Sequence, residues 1–484
     1  MLRKIVNQSF IYMAGKLLIQ GLSFFLIPLY THYMEPSDYG ILGICATISA
    51  VFVIIASPPL QAAVSLFYFK LERKEYRKFL GMIWLWMLLV PLILIGVLYT
   101  FSAKLSFYFP RVSWNPYLQL SVWIGYFELA PSIPLALFTA FKKPFWYVSF
   151  NLLSFVMDIS LLIYFVAVRH GGALGSLHGQ LIGAGAIAVF SHVIVLSYSR
   201  FKWVGRYLVD ALKLCMPYIP HVTWMWVLNV SDRWILLRFV PLASIGIYNL
   251  AYTLGVSFYL FSSAMMTAYS PVYYEKNSAP SFRKILPHLL TVYWLTELWM
   301  VLALILLAPE IVKIISPPAY HSAWFLVPWI AAGYWLAAAI YQPCLDVLHS
   351  HQRTRWVMLI SGIPAILNIV LNFKFIPSYG IQAAAVNTFL AFALMAVLAV
   401  LVSKKFDRLP FPWMKLGQMI PVVFIAYLIG STFHLFLYLW WIIVLTKGAL
   451  LVVTGTILIR IAGFDIRTIL TMFQKEKAIE TISS

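Results

Sequence analysis

Charged residues are scarce in this sequence. Asp, Glu, Lys and Arg together make up 11% of the chain, whereas 62% of the residues are hydrophobic. No soluble fold can hide that much apolar surface from water, so the composition excludes an ordinary soluble enzyme or binding protein. Aromatic residues form 17% of the chain, which is typical of a protein with long membrane–water borders. The composition therefore predicts a multi-pass membrane protein.

Cysteines and catalytic motifs are also rare or missing. Cys45, Cys215 and Cys344 lie inside apolar segments and form no CxxC pair, so they predict packing residues rather than disulfides or metal ligands. The sequence has no Walker motif, no HExxH and no GxSxG. Glu35 and Asp38 form an acidic pair in the first outer loop, where one class of membrane glycosyltransferases holds its acids, but a turn that starts a helix is the simpler interpretation. We expect no enzymatic activity, no cofactor and no metal.

Apolar segments long enough to cross a bilayer recur along the whole chain. A transmembrane helix needs about 20 residues. The sequence predicts an all-α membrane protein with about fourteen spans joined by short loops, at approximately 9–33, 41–69, 79–101, 117–141, 145–168, 172–199, 211–233, 244–274, 285–308, 321–348, 355–376, 380–402, 413–434 and 438–461.

The lysines and arginines are distributed unevenly between the loops on the two sides of the predicted membrane spans. The net charge is +19, and most of the 35 lysines and arginines fall in loops on the same side as the N-terminus. A minority, among them Lys447, fall on the opposite side. This asymmetry predicts both termini in the cytoplasm and explains the charge without a nucleic-acid partner. The first residues show no cleavage site, so we expect a multi-pass protein of the cytoplasmic (inner) membrane without a removable signal peptide.

The second half of the chain repeats the first. With an ungapped offset of 206 residues, Gly40 aligns with Gly246, and the basic pair Arg77-Lys78 aligns with Arg283-Lys284. Six-span units have the same orientation, so we expect a pseudo-twofold axis along the membrane normal. The predicted units are a six-helix lobe at 1–206, a second lobe at 207–405, an appended hairpin at 406–465 and a cytoplasmic tail at 466–484.

Ionisable groups at membrane depth are the candidate functional residues, because a charge there needs a cavity or a partner. Lys16 lies in the first span, with Gln20 one turn further out. Glu128, Asp158 and Glu297 fall near the middles of spans four, five and nine. The seventh span contains His221, Asp232 and Arg233.

Each of these residues also has a structural interpretation. Lys16 can extend its side chain to the inner surface instead of facing a cavity. The pair Asp232-Arg233 fits a structural salt bridge better than a ligand site. The three isolated carboxyl groups can either couple transport to an ion or bond to a neighbouring helix, and His221 can be a packing residue.

Three stretches resemble a known family: PLYTHYMEPSDYGILG at 28–43, FKLERKEYRKFLG at 69–81 and MPYIPHVTWMWVLNVSDRWILLRFVPLASIGIYNLAYTLG at 216–255. They are similar to the Wzx-type O-antigen and polysaccharide flippases. These form the polysaccharide-transporter branch of the MOP superfamily, which also holds the MATE antiporters and the lipid II flippases. The resemblance extends over essentially the whole chain in span number, duplication and loop lengths.

The resemblance implies a V-shaped pair of lobes around a central cavity that opens alternately to each face. The implied substrate is a polyprenyl-diphosphate-linked oligosaccharide, and Lys16 matches the basic residue that meets the diphosphate. In the repeat, Lys16 plus 206 is Val222, next to His221. We therefore expect His221 across the cavity from Lys16, with Gln20 one turn further out. Glu128 or Asp158 could pair with Lys16 and couple the cycle to a proton or sodium ion. A polysaccharide polymerase or glycosyltransferases are the implied protein partners. Lipid II flippases carry several arginines at mid-depth in their first spans, and none is evident here, which argues against lipid II.

Other functions stay open on the sequence. A MATE-like cation or drug antiporter would use buried carboxylates such as Glu128, Asp158 and Glu297. A major-facilitator transporter also has two six-helix repeats, but the loop at 69–78 lacks the glycine and aspartate pattern of that family. A polysaccharide polymerase would need long outer loops and would show no clear duplication, unlike this chain.

Overall fold

A computed structural model describes residues 21, 24, 26–202, 204–216, 219–436 and 439–463. Regular secondary structure in these residues is helical throughout, without a β-strand. The α-helices are α1 (Leu26–Tyr33), α2 (Pro36–Ala56), α3 (Leu60–Lys70), α4 (Arg73–Thr100), α5 (Ser102–Tyr108), α6 (Gln119–Leu129), α7 (Ser132–Ala140), α8 (Pro144–Leu162), α9 (Gly172–Tyr198), α10 (Gly205–Cys215), α11 (Ile219–Phe239), α12 (Leu242–Ser257), α13 (Tyr259–Lys276), α14 (Pro280–Ile315), α15 (Val327–Leu336), α16 (Gln342–Ser350), α17 (Thr354–Ser403), α18 (Trp413–Phe436) and α19 (Trp440–Ala462). Short π-helices, Trp114–Leu118, Ile163–Val168 and Ala337–Tyr341, and the 3₁₀-helix Pro318–Phe325 complete the order.

Long apolar helices confirm the prediction of an all-helical, multi-pass membrane protein. Within the described ranges, 10 helical segments are long and apolar enough to cross a membrane, or 11 when the bent pair Pro318–Phe325 and Val327–Ser350 counts as one span. Helix α17 has 50 residues, more than twice the roughly 20 of one crossing, and it contains non-helical backbone at Gly380. Two predicted spans fall in this one helix. Most of the predicted first span lies outside the described residues, so the count of fourteen stays a prediction.

Proline explains where the second predicted span divides. Helix α2 begins at Pro36, with Glu35 at the N-cap position and Asp38 in the first turn, so the simpler interpretation of that acidic pair as a helix start is confirmed. The same segment breaks after Ala56, because Pro58 and Pro59 lack the N–H groups that would continue the helical ladder.

The N-terminal half (residues 26–198) and the C-terminal half (residues 219–403) meet through α2 and α12, which pack against each other. Hydrogen bonds join the halves near the starts of these helices. The Thr31 hydroxyl donates to the Ile315 carbonyl at 2.6 Å, and the Tyr320 hydroxyl donates to the Met34 carbonyl at 3.0 Å. All of these residues lie at the end that the charge asymmetry assigns to the outer face, so the two halves are in contact at that end.

The segment between the halves contains the amphipathic helix α10, which packs against α3 and α4 of the N-terminal half. All three cysteines are free and buried, which confirms their interpretation as packing residues. The Cys215 thiol donates to the Pro59 carbonyl at 3.4 Å, and the same oxygen accepts a hydrogen bond from the Ala62 amide at 3.1 Å at the start of α3.

The C-terminal helices α18 and α19 pack together and against α14. Lys447 of α19 is 1% exposed, and its ammonium group contacts both carboxylate oxygens of Glu310 at 2.8 and 2.9 Å. Lys447 is therefore a buried helical residue rather than a loop charge, and its assignment to the outer loops was wrong. A lysine so deep in apolar surroundings requires such a partner.

Candidate functional site

The break after Ala56 opens a polar pocket in the N-terminal half. This N-terminal pocket has a volume of about 180 Å³, and its polar lining residues are Ser57, Gln61, Glu128 and Ser132. Residues Ile219 and Val222 of α11 also line it. Because α11 belongs to the C-terminal half, this pocket lies where the two halves face each other.

Asp158 extends the polar surface of the N-terminal half. Its side chain interacts electrostatically with Glu128 and with Tyr30 of α1, and Gln180 and Ser176 lie next to Tyr30. The structure therefore brings together two of the carboxylates that the sequence singled out separately. Holding both carboxylates charged in the same partly dry region is costly, so this part of the protein suits a bound cation.

A second polar pocket lies in the C-terminal half. This C-terminal pocket has a volume of about 240 Å³ and is lined by the hydroxyl and amide side chains of Tyr259, Ser262, Ser263, Thr267, Ser270 and Gln342. The Ser270 hydroxyl donates to Asp346 at 2.9 Å, and Tyr274 donates to the same carboxylate at 2.7 Å. The wall of this pocket is thus held in place by a hydrogen-bonded carboxylate.

The two pockets occupy equivalent positions in the sequence repeat. Ser57 plus the offset of 206 residues is Ser263, and Gln61 plus the same offset is Thr267. One polar pocket therefore occurs in each half, each beside a break in the long helix that meets the other half. Hydroxyl and amide groups of this kind suit the hydroxyls of a sugar better than an apolar drug.

Glu297 is fully buried behind the C-terminal pocket. It interacts electrostatically with Tyr259 and Tyr293 and lies close to Ser262. In the described part of the chain, neither carboxylate oxygen makes a hydrogen bond of normal geometry. A buried carboxylate in this situation favours the protonated form or a bound cation.

His221 is directed toward a neighbouring helix. Its Nδ1 lies 3.1 Å from the Ser361 hydroxyl of α17. The lining of the N-terminal pocket includes Ile219 and Val222 on either side of it, but not His221 itself. This geometry agrees with the packing interpretation of the histidine. Lys16 and Gln20 lie outside the described residues.

Asp232 and Arg233 form the centre of a buried polar network, in agreement with their interpretation as a structural pair. Asp232 is fully buried and accepts hydrogen bonds from Arg233 at 3.1 Å and from the Tyr248 hydroxyl. The Arg233 Nε donates to Asn249 at 3.0 Å, and its guanidinium lies 4.1 Å from the ring centre of Tyr252. The Arg233 Nη1 donates to the Asn229 carbonyl as well as to Asp232, so Nε and Nη1 both have protein partners.

Sequence reasoning missed the neutral members of this network. The Asn249 amide also donates to the Tyr39 carbonyl at 3.1 Å, which links the network across the contact between the halves. The Tyr252 and Tyr334 hydroxyls lie 2.5 Å apart, and Tyr334 donates to Asn229 at 2.6 Å. Only their position beside a buried ion pair marks these residues, and that position depends on the tertiary fold. No group of His, Cys, Asp and Glu suited to a metal ion occurs in the part of the chain that the structure covers.

No family model and no curated protein matches the sequence. Solved structures do match. One is the lipid II flippase MurJ in an inward closed conformation, with a TM-score of 0.72 and 18% identity over 94% of this chain and 99% of that one. Another is an inward-facing multidrug resistance MATE transporter of the MOP superfamily, with a TM-score of 0.61 and 10% identity over 82% and 97%. A Vibrio cholerae MATE transporter, VcmN, gives a TM-score of 0.56 and 11% identity over 83% and 96%.

Identities this low show the fold and not the cargo. The three matched proteins are transporters or flippases rather than enzymes. The chain is a multi-pass membrane protein with the all-helical transporter fold that is found in the lipid II flippase MurJ and in the MATE transporters.

Proposed function

We propose that the protein is a flippase that moves a polyprenyl-diphosphate-linked oligosaccharide across the cytoplasmic membrane by alternating access. In this proposal the two lobes, 1–206 and 207–405, enclose a polar cavity, and the hairpin at 406–465 lies outside their symmetry. The sugar and diphosphate cross through the cavity while the polyprenyl chain stays in the bilayer. The protein makes no covalent bond during the cycle.

The size of the match to a flippase is the observation that carries this proposal. The lipid II flippase MurJ matches 94% of the chain, whereas the MATE transporters match 82% and 83%. The difference in matched length is close to the length of the hairpin formed by α18 and α19, whose helices contain 24 and 23 residues. Because the chain matches a lipid flippase over more of its length than it matches the MATE transporters, a lipid-linked cargo is favoured over a small cation.

The polar pockets support a sugar as the head group. Each pocket presents several hydroxyl or amide groups, and neither has a lining lysine or arginine. Such groups exchange hydrogen bonds with water for hydrogen bonds with sugar hydroxyls at little net cost. In this proposal Lys16 supplies the positive charge for the diphosphate, with Gln20 beside it, whereas His221 packs against α17.

The carboxylates provide a route for ion coupling. Glu128 and Asp158 interact with each other beside the N-terminal pocket, and Glu297 is buried behind the C-terminal pocket. We assign to these groups the binding of a proton or sodium ion whose gradient resets the cavity. Asp232 and Arg233 hold helices together and take no part in binding. A polymerase or glycosyltransferases of the same glycan are the proposed partners.

The test is glycan export in cells at matched protein levels. Lys16→Ala and Lys16→Gln should abolish export and Lys16→Arg should retain most of it, because only the charge is needed. Full export by Lys16→Ala would show that this lysine is not the diphosphate contact. Lys104→Gln, which removes an exposed lysine that lines neither pocket, is the matched control and should export normally.

A MATE-like cation antiporter is the second candidate, and the proximity of Glu128 and Asp158 favours it. Such a pump would protect a pump-deficient strain against cationic dyes, and Glu128→Gln would remove the protection. The flippase proposal expects no protection by the unmodified protein. Two results together would favour the antiporter over the flippase: the protein confers dye resistance, and deletion of its gene leaves glycan export unchanged.

A further inference from the structure

Another cavity lies away from the N-terminal and C-terminal pockets, at the end of the N-terminal half that the charge asymmetry assigns to the cytoplasm. It has a volume of about 670 Å³, and we call it the basic cavity. Its charged lining residues are Arg73, Arg77 and Lys143, and no carboxylate lines it among the described residues. Three cations around one open space repel each other unless an anion joins them.

Arg77 is the residue at the centre of this argument. Its Nε atom is buried and has no hydrogen-bond partner within the described ranges. Its backbone carbonyl accepts a hydrogen bond from the Arg200 amide at 2.8 Å, which fixes the helix beneath the segment 199–202. A buried guanidinium nitrogen without an acceptor is costly, so a missing acceptor is the simplest explanation.

The sequence repeat shows what such an acceptor is. Arg77 plus 206 is Arg283, which forms a two-pronged salt bridge to Asp407, with distances of 2.8 and 2.6 Å. Tyr273 donates a further hydrogen bond to the same carboxylate at 3.0 Å. Among the described residues that line the basic cavity, no carboxylate takes this part for Arg77. One repeat thus carries its own anion, and the other has the arginine without it.

The surroundings of the basic cavity favour a phosphate group. Arginine binds phosphate and carboxylate oxygens with the same planar fork, and flanking cations add to the attraction for a group with more than one charge. The lining residues Tyr68 and Tyr198 supply hydroxyls, and the ring centre of Phe141 lies 5.8 Å from the Lys143 ammonium. Aromatic and basic residues at the end of a spanning helix are typical of the headgroup layer of a membrane.

We propose that the basic cavity binds a phosphate group that takes the place of the missing carboxylate, and that this phosphate belongs to the headgroup of an anionic membrane lipid. Binding would neutralise Arg77 in the way that Asp407 neutralises Arg283. The site is separate from the central cavity, and it does not depend on which cargo the protein carries.

The test measures binding of phosphatidylglycerol and of phosphatidylcholine to the full-length protein in detergent by native mass spectrometry. We expect phosphatidylglycerol to bind at least about tenfold more tightly, because only this lipid has net negative charge. Arg77→Gln and Lys143→Gln should each reduce that preference about tenfold, as expected for the loss of a charge-assisted hydrogen bond. Arg283→Gln is the matched control and should leave lipid binding unchanged, because Asp407 already occupies that arginine.

Arg77→Lys provides a second variant that keeps the number of positive charges. It retains the attraction for an anion but loses the planar fork, so it should lose less of the preference for phosphatidylglycerol than Arg77→Gln does. Unchanged binding of phosphatidylglycerol in both Arg77→Gln and Lys143→Gln would overturn the proposal, as would an equal loss in Arg283→Gln.

Addition of inorganic phosphate tests whether the bound phosphate group belongs to a lipid headgroup or to a soluble ligand. If the ligand is a lipid headgroup, millimolar inorganic phosphate should neither raise the melting temperature of the lipid-free protein nor displace bound phosphatidylglycerol. Stabilisation by inorganic phosphate that disappears in Arg77→Gln would keep the phosphate site but assign it to a soluble ligand, which overturns the lipid assignment.

Discussion

Gly40 and Gly246 lie against each other where α2 crosses α12, and each glycine meets the backbone of the other helix. A Cβ atom on Gly40 would overlap the carbonyl oxygen of Leu242, and one on Gly246 would overlap that of Pro36. The contact is reciprocal, because Pro36 and Leu242 are also separated by 206 residues. A twofold relation between two helices requires a contact of this kind. The superposition of the two halves as whole units stays a prediction.

Alanine at either glycine should therefore force the halves apart. We expect Gly40→Ala and Gly246→Ala each to lower stability by about 1–3 kcal/mol, the usual result of overpacking a close contact. The double variant should lose less than the sum, because both changes act on one contact. Gly96→Ala is the control, since its added methyl group meets open space and improves helix propensity. Thermal unfolding in detergent measures all four, and an unchanged melting temperature in Gly40→Ala would contradict the contact.

The repeat was readable from the sequence because glycines and basic pairs keep their spacing through an apolar background. The partners across the contact were not readable. Asn249 is the repeat mate of Gly43, and the structure brings its amide against that glycine, so a large residue in one half fills the space left by a small one in the other. Symmetry of sequence predicts equivalent positions but not such complementary pairs, because these depend on how close the helices approach.

Asn249 should be important for the closed state of the outer face, since it connects Arg233 to the Tyr39 carbonyl. Asn249→Ala removes both hydrogen bonds and leaves a buried arginine nitrogen unpaired, which should cost about 1–3 kcal/mol. A single cysteine placed at Tyr39 should react faster with a membrane-impermeant thiol reagent added outside in this background. Asn151→Ala, which removes one hydrogen bond within a single helix, should leave the labelling rate unchanged.

The depth of the candidate residues was also readable from the sequence, but their partners were not. Asp232, Arg233, Glu128 and Asp158 were all singled out because a charge in an apolar segment needs compensation. Nothing in the sequence indicated that Glu128 and Asp158 interact, or that tyrosines sixteen or more residues away complete the Asp232 site. These relationships arise from helix packing over long sequence separations.

The pair Asp232–Arg233 should contribute to stability rather than to transport. Asp232→Asn or Arg233→Gln leaves one buried charge without its counter-charge, so each should destabilise the fold by about 3–5 kcal/mol. The combined replacement Asp232→Asn with Arg233→Gln removes both charges and should recover part of that loss. Melting temperature and transport per folded molecule are measured together. Normal stability with abolished transport in Asp232→Asn would show a functional role instead.

The salt bridge between Arg283 and Asp407 should make the stability of the protein depend on pH. Burial alone would raise the pKa of Asp407, but the hydrogen bonds from Arg283 and Tyr273 outweigh burial and hold this pKa below the usual value of 3.8. The salt bridge therefore stabilises the fold fully at pH values above the pKa of Asp407 in the unfolded chain. This stabilisation is lost as the pH falls through the lower pKa of Asp407 in the folded protein. Between about pH 6 and about pH 3, the melting temperature should fall less steeply in Asp407→Asn than in the unmodified protein. The variant should also have the lower melting temperature at about pH 6. Parallel curves for the two proteins would rule out this contribution.

The contact between Lys447 and Glu310 should determine whether the C-terminal hairpin stays attached to α14. Both side chains are buried, and the lysine also donates to the Leu306 carbonyl at 2.8 Å. Lys447→Met leaves Glu310 without its counter-charge in an apolar layer, so we expect a loss of about 3–5 kcal/mol. Glu310→Gln should have a similar effect, whereas the double variant Lys447→Met with Glu310→Leu should be close to the unmodified protein.

Limited proteolysis in the loop between α17 and α18 can follow detachment of the hairpin. Cleavage should be faster in each single variant and return to the original rate in the double variant, because two apolar side chains can pack where an ion pair was. Lys415→Met is the comparison variant. It removes a lysine that bonds to the last turn of α19 through the Ala462 carbonyl at 2.6 Å, at the rim of the hairpin and not in its core. It should cause a much smaller change, since a partly exposed lysine leaves no buried charge behind. Equal cleavage rates in all variants would mean that apolar packing alone holds the hairpin.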